Sequence, residues 1–186
     1  IGYSCTNGTI QNNETNAQLI ELDDSLYFFP REKELSDIMA GFDSIVRICS
    51  LTHNHTGEAM IHHICADLQL QTGHTALAFN EARKLMENSE NEVEDGIYYL
   101  TLSNIDMELH LYDKARERLL GALERLKDEP ILQTRVHLHL LELDVNLRNF
   151  DKAWLRIREI ESLNAQHGIQ AIPHNLQMRF YAWKAS

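Results

Sequence analysis

The sequence is short of chain breakers, with 3 prolines and 8 glycines in 186 residues, so few positions force a helix to end. Strictly alternating apolar and polar runs are also scarce, which removes the pattern of a half-buried β-sheet. No window approaches roughly 18 consecutive apolar residues, so no membrane insertion is expected. Basic residues are outnumbered, 17 Lys and Arg against 28 Asp and Glu, for a net charge of −11. A nucleic-acid surface needs a clustered basic footprint, and an anionic bilayer attracts cations, so neither partner fits. The 3 cysteines, Cys5, Cys49 and Cys65, cannot all pair within one chain. Cys49 and Cys65 sit in apolar helical patterns, where a free thiol acts as a small hydrophobe, and a reducing, cytoplasmic setting is expected. There is no glycine-rich phosphate loop, no Gly-x-Ser-x-Gly elbow and no Cys-x-x-Cys pair, so neither an enzyme nor a cofactor is expected. Asn7, Asn13 and Asn54 open glycosylation-type triplets, a level that 13 asparagines reach by chance.

What remains is the three-to-four spacing of amphipathic helices, clearest in "EDGIYYLTLSNIDMELHL" and "ILQTRVHLHLLELDVNL". Ser89 with Glu92 forms a capping-box pattern, and Pro130 takes a favoured first-turn position. Helices are expected at about 14–28, 34–52, 57–72, 75–88, 91–109, 112–127, 130–147, 151–165 and from 174 onward. The fold class is all-α. Residues 1–33 form an N-terminal segment with one helix, and 34–186 an array cut within a further repeat.

The pattern repeats. Laying "YDKARERLLGA" over "FDKAWLRIREI" sets Tyr112 on Phe150, Ala115 on Ala153 and Leu119 on Ile157. The same register carried back gives Thr75, Ala78, Ala82 and Leu85, then Phe42, Ile45, Cys49 and Thr52. These positions trace one stripe of a helix, and each later unit starts with another amphipathic helix, the mark of a helix–turn–helix array. The tetrads "YDKA" and "FDKA" resemble the second-helix signature of tetratricopeptide repeats. The glycine that precedes it in that family is kept as Gly73 and Gly41 and replaced by His110 and Arg148. The small residue of the family's first helix is present as Ala66 and Ser103 and becomes Leu141. The resemblance covers roughly residues 40–186. It implies helix pairs stacked in a right-handed superhelix, with Ala78, Ala115 and Ala153 at close helix contacts.

The stretch from Thr52 to His74 holds five of the ten histidines, together with Glu58, Cys65 and Asp67. Glu58, His62 and Cys65 share one helical face, and a zinc-dependent site there is an alternative reading. Zinc needs four ligands in recognised spacings, however, and no His-Glu-x-x-His or paired cysteines occur. In the repeat register His62 takes the aromatic slot of Tyr99 and His137, and Cys65 the leucine slot of Leu102 and Leu140. His53 and His55 fall in an interhelix turn, and His74 follows Gly73 in another. Packing and turns account for the cluster, and no metal ligand is assigned.

The resemblance also implies that first helices line a concave face. Its inward positions would be Met60, His63, Asp67 and Leu70, then Ile97, Leu100, Asn104 and Met107, then Arg135, Leu138, Glu142 and Val145. Asp67, Asn104 and Glu142 form a polar row flanked by apolar groups, which suits an amphipathic peptide or helix. The family's clamp for C-terminal carboxylates uses a set of basic residues that this groove lacks. Packing of the row on a neighbouring segment, such as the N-terminal helices, is the alternative.

The closing "HNLQMRFYAWKAS" reads as the first helix of another unit, with Met178, Phe180, Tyr181 and Trp183 lacking a covering helix. Together with a start at Ile1, this gives the expectation of a piece of a longer protein. Its own downstream output domain, or a second copy in a homodimer, would dock on Phe180 and Trp183. Irregular arrays of this kind are similar to the sensory regions ahead of bacterial signalling outputs, GGDEF diguanylate cyclases first. The expected function is a non-catalytic sensory or protein-interaction repeat domain. It would hold a protein or peptide through His63, Asp67, Asn104, Met107, Arg135, Glu142, Phe180 and Trp183. The alternative is a peptide-binding regulator of a transcription or kinase partner.

Overall fold

The computed structural model describes residues 32–167 and the isolated Gln18; between 32 and 40 the only side chain described is that of Ile38. Their regular structure is helical throughout: α1 (Glu32–Leu51), α2 (His55–Gln71), α3 (Thr75–Asn88), α4 (Glu92–Glu108), α5 (Tyr112–Arg125), α6 (Pro130–Asn146) and α7 (Phe150–His167). No strand occurs among the described residues. The expected ends agree to within 2 residues for these helices. The helices expected at about 14–28 and beyond 174 lie outside the described residues, as do Phe180 and Trp183.

The two kinds of helix differ in how much of their circumference is covered. Helices α3, α5 and α7 bury one stripe each: Ala78, Ala82 and Leu85; Ala115, Leu119 and Ala122; Ala153, Ile157 and Ile160. The small residue leading each stripe lets a neighbouring helix come close, and Ala78 and Ala115 have no exposed surface. Helix α2 instead is buried without interruption from Ala59 to Gln69, and α6 from Thr134 to Leu141. Helices that are apolar or neutral around most of their circumference belong in the interior.

Each helix packs on its neighbours in the chain, and α2 also lies directly on α4. One core runs from α1 to α6 and includes Phe42, Ile61, Leu100, Leu119 and Leu140. A smaller cluster of Leu138 and Leu141 with Ala153, Ile157 and Ile160 seats α7 on α6.

The same turn closes α2, α4 and α6. Gly73, His110 and Arg148 have φ of 76°, 58° and 56°, the left-handed region. The following N–H groups of His74, Leu111 and Asn149 return to the carbonyls of Gln69, Asp106 and Asp144 at 2.7, 2.8 and 2.7 Å. This is the six-to-one bond that ends a helix on a left-handed residue. The fourth such turn is at His53 (φ 53°), between α1 and α2. Gly41 therefore does not keep the family's turn glycine: it sits inside α1, an unbroken helix that buries Phe42 and Cys49, while Thr52 falls past its end.

The start of α4 also corrects an expectation. Its cap is Asn91, whose extended backbone lets the side chain accept from the N–H groups of Val93 and Glu94, both at 3.0 Å. The carboxylate reaching back is that of Glu94, which accepts from the N–H of Glu90 at 2.7 Å. Ser89 donates to Asp95 at 2.7 Å instead of capping with Glu92. Asn54 is buried and caps α2 through the N–H of Gly57 at 3.0 Å, so its triplet is a helix start.

Candidate functional site

The last turns of α2, α4 and α6 leave a cleft of about 270 Å³ between them. Helix α2 supplies Asp67, Leu70 and Gln71; α4 supplies Asn104, Met107 and Glu108; α6 supplies His139, Glu142 and Asn146. The turn after α4 closes one end with His110 and Tyr112. Here the left-handed His110 brings its Nδ1 to 2.9 Å from the Tyr112 hydroxyl, with the rings 5.7 Å apart.

The wall between α2 and α4 is held by hydrogen bonds. Asn104 Nδ2 donates to Asp67 Oδ1 at 2.9 Å, which fixes the amide's orientation. Its Oδ1 is then a buried acceptor with no hydrogen-bond partner. Behind Asp67 stands His63, whose Nε2 is 3.7 Å from Asp67 Oδ2. His63 Nδ1 lies 2.9 Å from Thr101 Oγ1, and the Thr101 hydroxyl donates to the Ile97 carbonyl at 2.8 Å. The threonine proton is thus committed, and the imidazole donates.

The structure brings Asp67, Leu70, Asn104, Met107 and Glu142 together, as the polar row implied. It places the other expected groove residues elsewhere. Met60, Ile97 and Leu100 belong to the main core, Leu138 packs on α7, and Val145 lies against that second cluster. His63 and Arg135 are buried, at 0% and 3% exposure, and do not line the cleft. Helix α2 lies directly on α4, which covers the facing positions of these two helices. Glu108 and His139 were missed by sequence reasoning. They stand four residues after Asn104 and three before Glu142, so following the same helical face one turn further would have reached them.

Other acids near these helix ends are neutralised from the second helices. Asp106 pairs with Arg118 at 2.6 Å, and Asp144 with Arg116 at 2.6 Å, with Arg156 at 3.8 Å. Asp106 and Asp144 occupy one repeat position, Arg118 and Arg156 another. In the first unit the pair is replaced by Gln69 and Glu81, and Glu81 turns to His62, whose Nδ1 donates at 2.7 Å, and to Lys84 at 2.9 Å. Burial raises the Glu81 pKa, but these two partners outweigh it and hold the carboxyl below its usual range. His62 thus fills its slot with a partner of its own. Burial pushes the Cys65 thiol up to about 12, which leaves no thiolate for chemistry at neutral pH. His53 and His55 are ring neighbours at 6.3 Å, and His55 Nε2 lies 3.9 Å from Glu90 Oε2. Among the described residues, no three His, Cys, Asp or Glu side chains are grouped to hold a metal ion.

Comparison with protein-family models, curated proteins and solved structures gives no match to this chain. No helix among the described residues is long and apolar enough to cross a membrane.

Proposed function

We propose that this chain is a non-catalytic binding module, a tetratricopeptide-like array wound as a right-handed superhelix that captures a peptide or protein segment in the cleft of α2, α4 and α6. The observation that carries this reading is the cleft wall: Asp67 and Asn104 are locked in one geometry, with a buried acceptor left over, beside the apolar Leu70 and Met107. A few fixed polar groups in an apolar setting are what orient a ligand. The non-catalytic part is supported by the pairing of the buried acids with bases and by the inert Cys65 thiol. The resemblance of residues 40–186 to tetratricopeptide arrays adds the biological setting: the regulatory part of a cytoplasmic bacterial signalling protein, such as a GGDEF diguanylate cyclase. Phe180 and Trp183 would serve its output side.

Selection from a random peptide library displayed on phage tests the reading. The chain should enrich sequences whose binding falls when Asn104 is replaced by leucine, with helicity unchanged by circular dichroism. Equal enrichment by both proteins would move the binding surface away from the cleft, and no enrichment at all would reject the peptide-binding function.

A further inference from the structure

We infer that the flank of α7 carrying Phe150 and Trp154 is a docking face, and that its occupant is the chain's own segment 174–186. This goes beyond the binding function above and rests on the repeat register, not on what the cleft holds.

Helices α1, α3 and α5 each pack on the first helix that follows them. In α5 the residues that meet that next helix are identified by their contacts. Arg116 donates to Asp144 of α6 at 2.6 Å, and Tyr112 borders the cleft that α6 helps to line. In the repeat register Tyr112 and Arg116 become Phe150 and Trp154, so these two stand where a following first helix would lie. The chemistry of the contact changes with them. A half-buried tyrosine and arginine give way to a phenylalanine and a tryptophan that are 60% and 56% exposed. Four residues apart, the two aromatics share one side of α7 and present an anchoring patch of the kind that partners cover.

The chain itself carries a fitting partner. Six residues, 168–173, separate the end of α7 from the segment that starts at His174, within the roughly 2–8 residues usual between packed helices. At helical spacing Met178, Tyr181, Ala182 and Ala185 fall on one stripe of that segment, and Leu176, Phe180 and Trp183 on the opposite one. Two apolar sides are what a first helix needs here, since α2 and α6 are covered around most of their circumference. The stripe with the two alanines is assigned to α7, because small residues leave room for the Trp154 indole. Phe180 and Trp183 then stay on the far side, for the output. A tether of this length holds the segment at an effective concentration of roughly millimolar, which favours it over a second copy.

The chain has two tryptophans, one on each side of the inferred contact, and this makes fluorescence the test. In the full chain Trp183→Phe leaves Trp154 as the only indole. Its emission should be blue-shifted from that of the urea-unfolded chain, and acrylamide should quench it several-fold more slowly. Adding Met178→Lys and Tyr181→Lys should move the emission to the red and bring quenching close to that of a free indole. The remaining helices should still unfold cooperatively in urea. Free quenching of Trp154 before the lysines are added would show that nothing covers the flank and would overturn the inference. Shielding that survives the lysines would assign the flank to another occupant. Shielding lost on dilution, in step with a dimer-to-monomer change in sedimentation, would assign it to a second copy. Each of these results leaves peptide capture in the cleft untouched, so failure here and failure of the binding function are distinguishable.

Discussion

His137 stands uncharged in its slot. It is 7% exposed, and burial, reinforced by the charge of Arg156, pushes its pKa down to about 4. An unfolded imidazole takes its proton near 6.5, so between those values the unfolded chain binds more protons than the folded one. Stability from this group is therefore full above pH 6.5 and declines as pH falls toward 4, by about 3 kcal/mol at most. His137→Phe keeps a ring there, as Tyr99 does in the unit before, and should flatten that part of the profile. Urea unfolding at pH 7.5 and 4.5 checks it: an identical drop in both proteins would refute the assignment. Arg148 gives a second residue-scale prediction. Its left-handed φ of 56° carries a strain that glycine would not, so Arg148→Gly should raise stability by about 0.5–1 kcal/mol. A melting temperature lower than wild type would show that its side chain matters more than its backbone.

Between elements, the Asp144 network ties three helices. Its carboxylate has no exposed side-chain surface and faces Arg116 of α5 and Arg156 of α7. Removing one partner of such a buried pair leaves a charge unmatched, so Asp144→Ala should cost about 3–5 kcal/mol. Arg116→Leu with Asp144→Leu should cost less than the sum of the single changes in denaturant unfolding, and strict additivity would contradict the coupling. Gly96 is a close approach of α4 to α5: an added Cβ would lie 2.5 Å from Leu126 Cγ, which is fully buried. Gly96→Ala should destabilise by about 1–3 kcal/mol despite the better helix former, and a neutral result would show that Leu126 has room to move.

At this scale the sequence is legible where local chemistry decides. The stripes beginning at Ala78, Ala115 and Ala153 reveal α3, α5 and α7 because a one-sided helix leaves its period in the chain. The cap of α4 is less legible, since Ser89 and Asn91 both qualify by residue type and only the backbone conformation selects Asn91. The turns at His110 and Arg148 are placed by the register, but their left-handed backbone is not legible from residues other than glycine. Nor could spacing reveal that Arg116 crosses from one unit to an acid in the next.

Taken as a whole, the molecule is a succession of helices in which the register of the second helices locates the first, and the first helices locate the cleft. The polar row Asp67, Asn104 and Glu142 was visible from that register. The closure of the remaining groove was not, because it depends on how near α2 comes to α4. The cleft takes its lining from three helices, so it belongs to the assembled fold rather than to any single helix. The most direct measurement of its role is calorimetric titration of a library-selected peptide into the wild-type chain and into a variant carrying Asp67→Asn and Glu142→Gln. The account predicts that affinity falls at least about tenfold, or about 1.4 kcal/mol, with the melting temperature preserved. An unchanged affinity in a variant that folds and melts as wild type would contradict the cleft as the binding site.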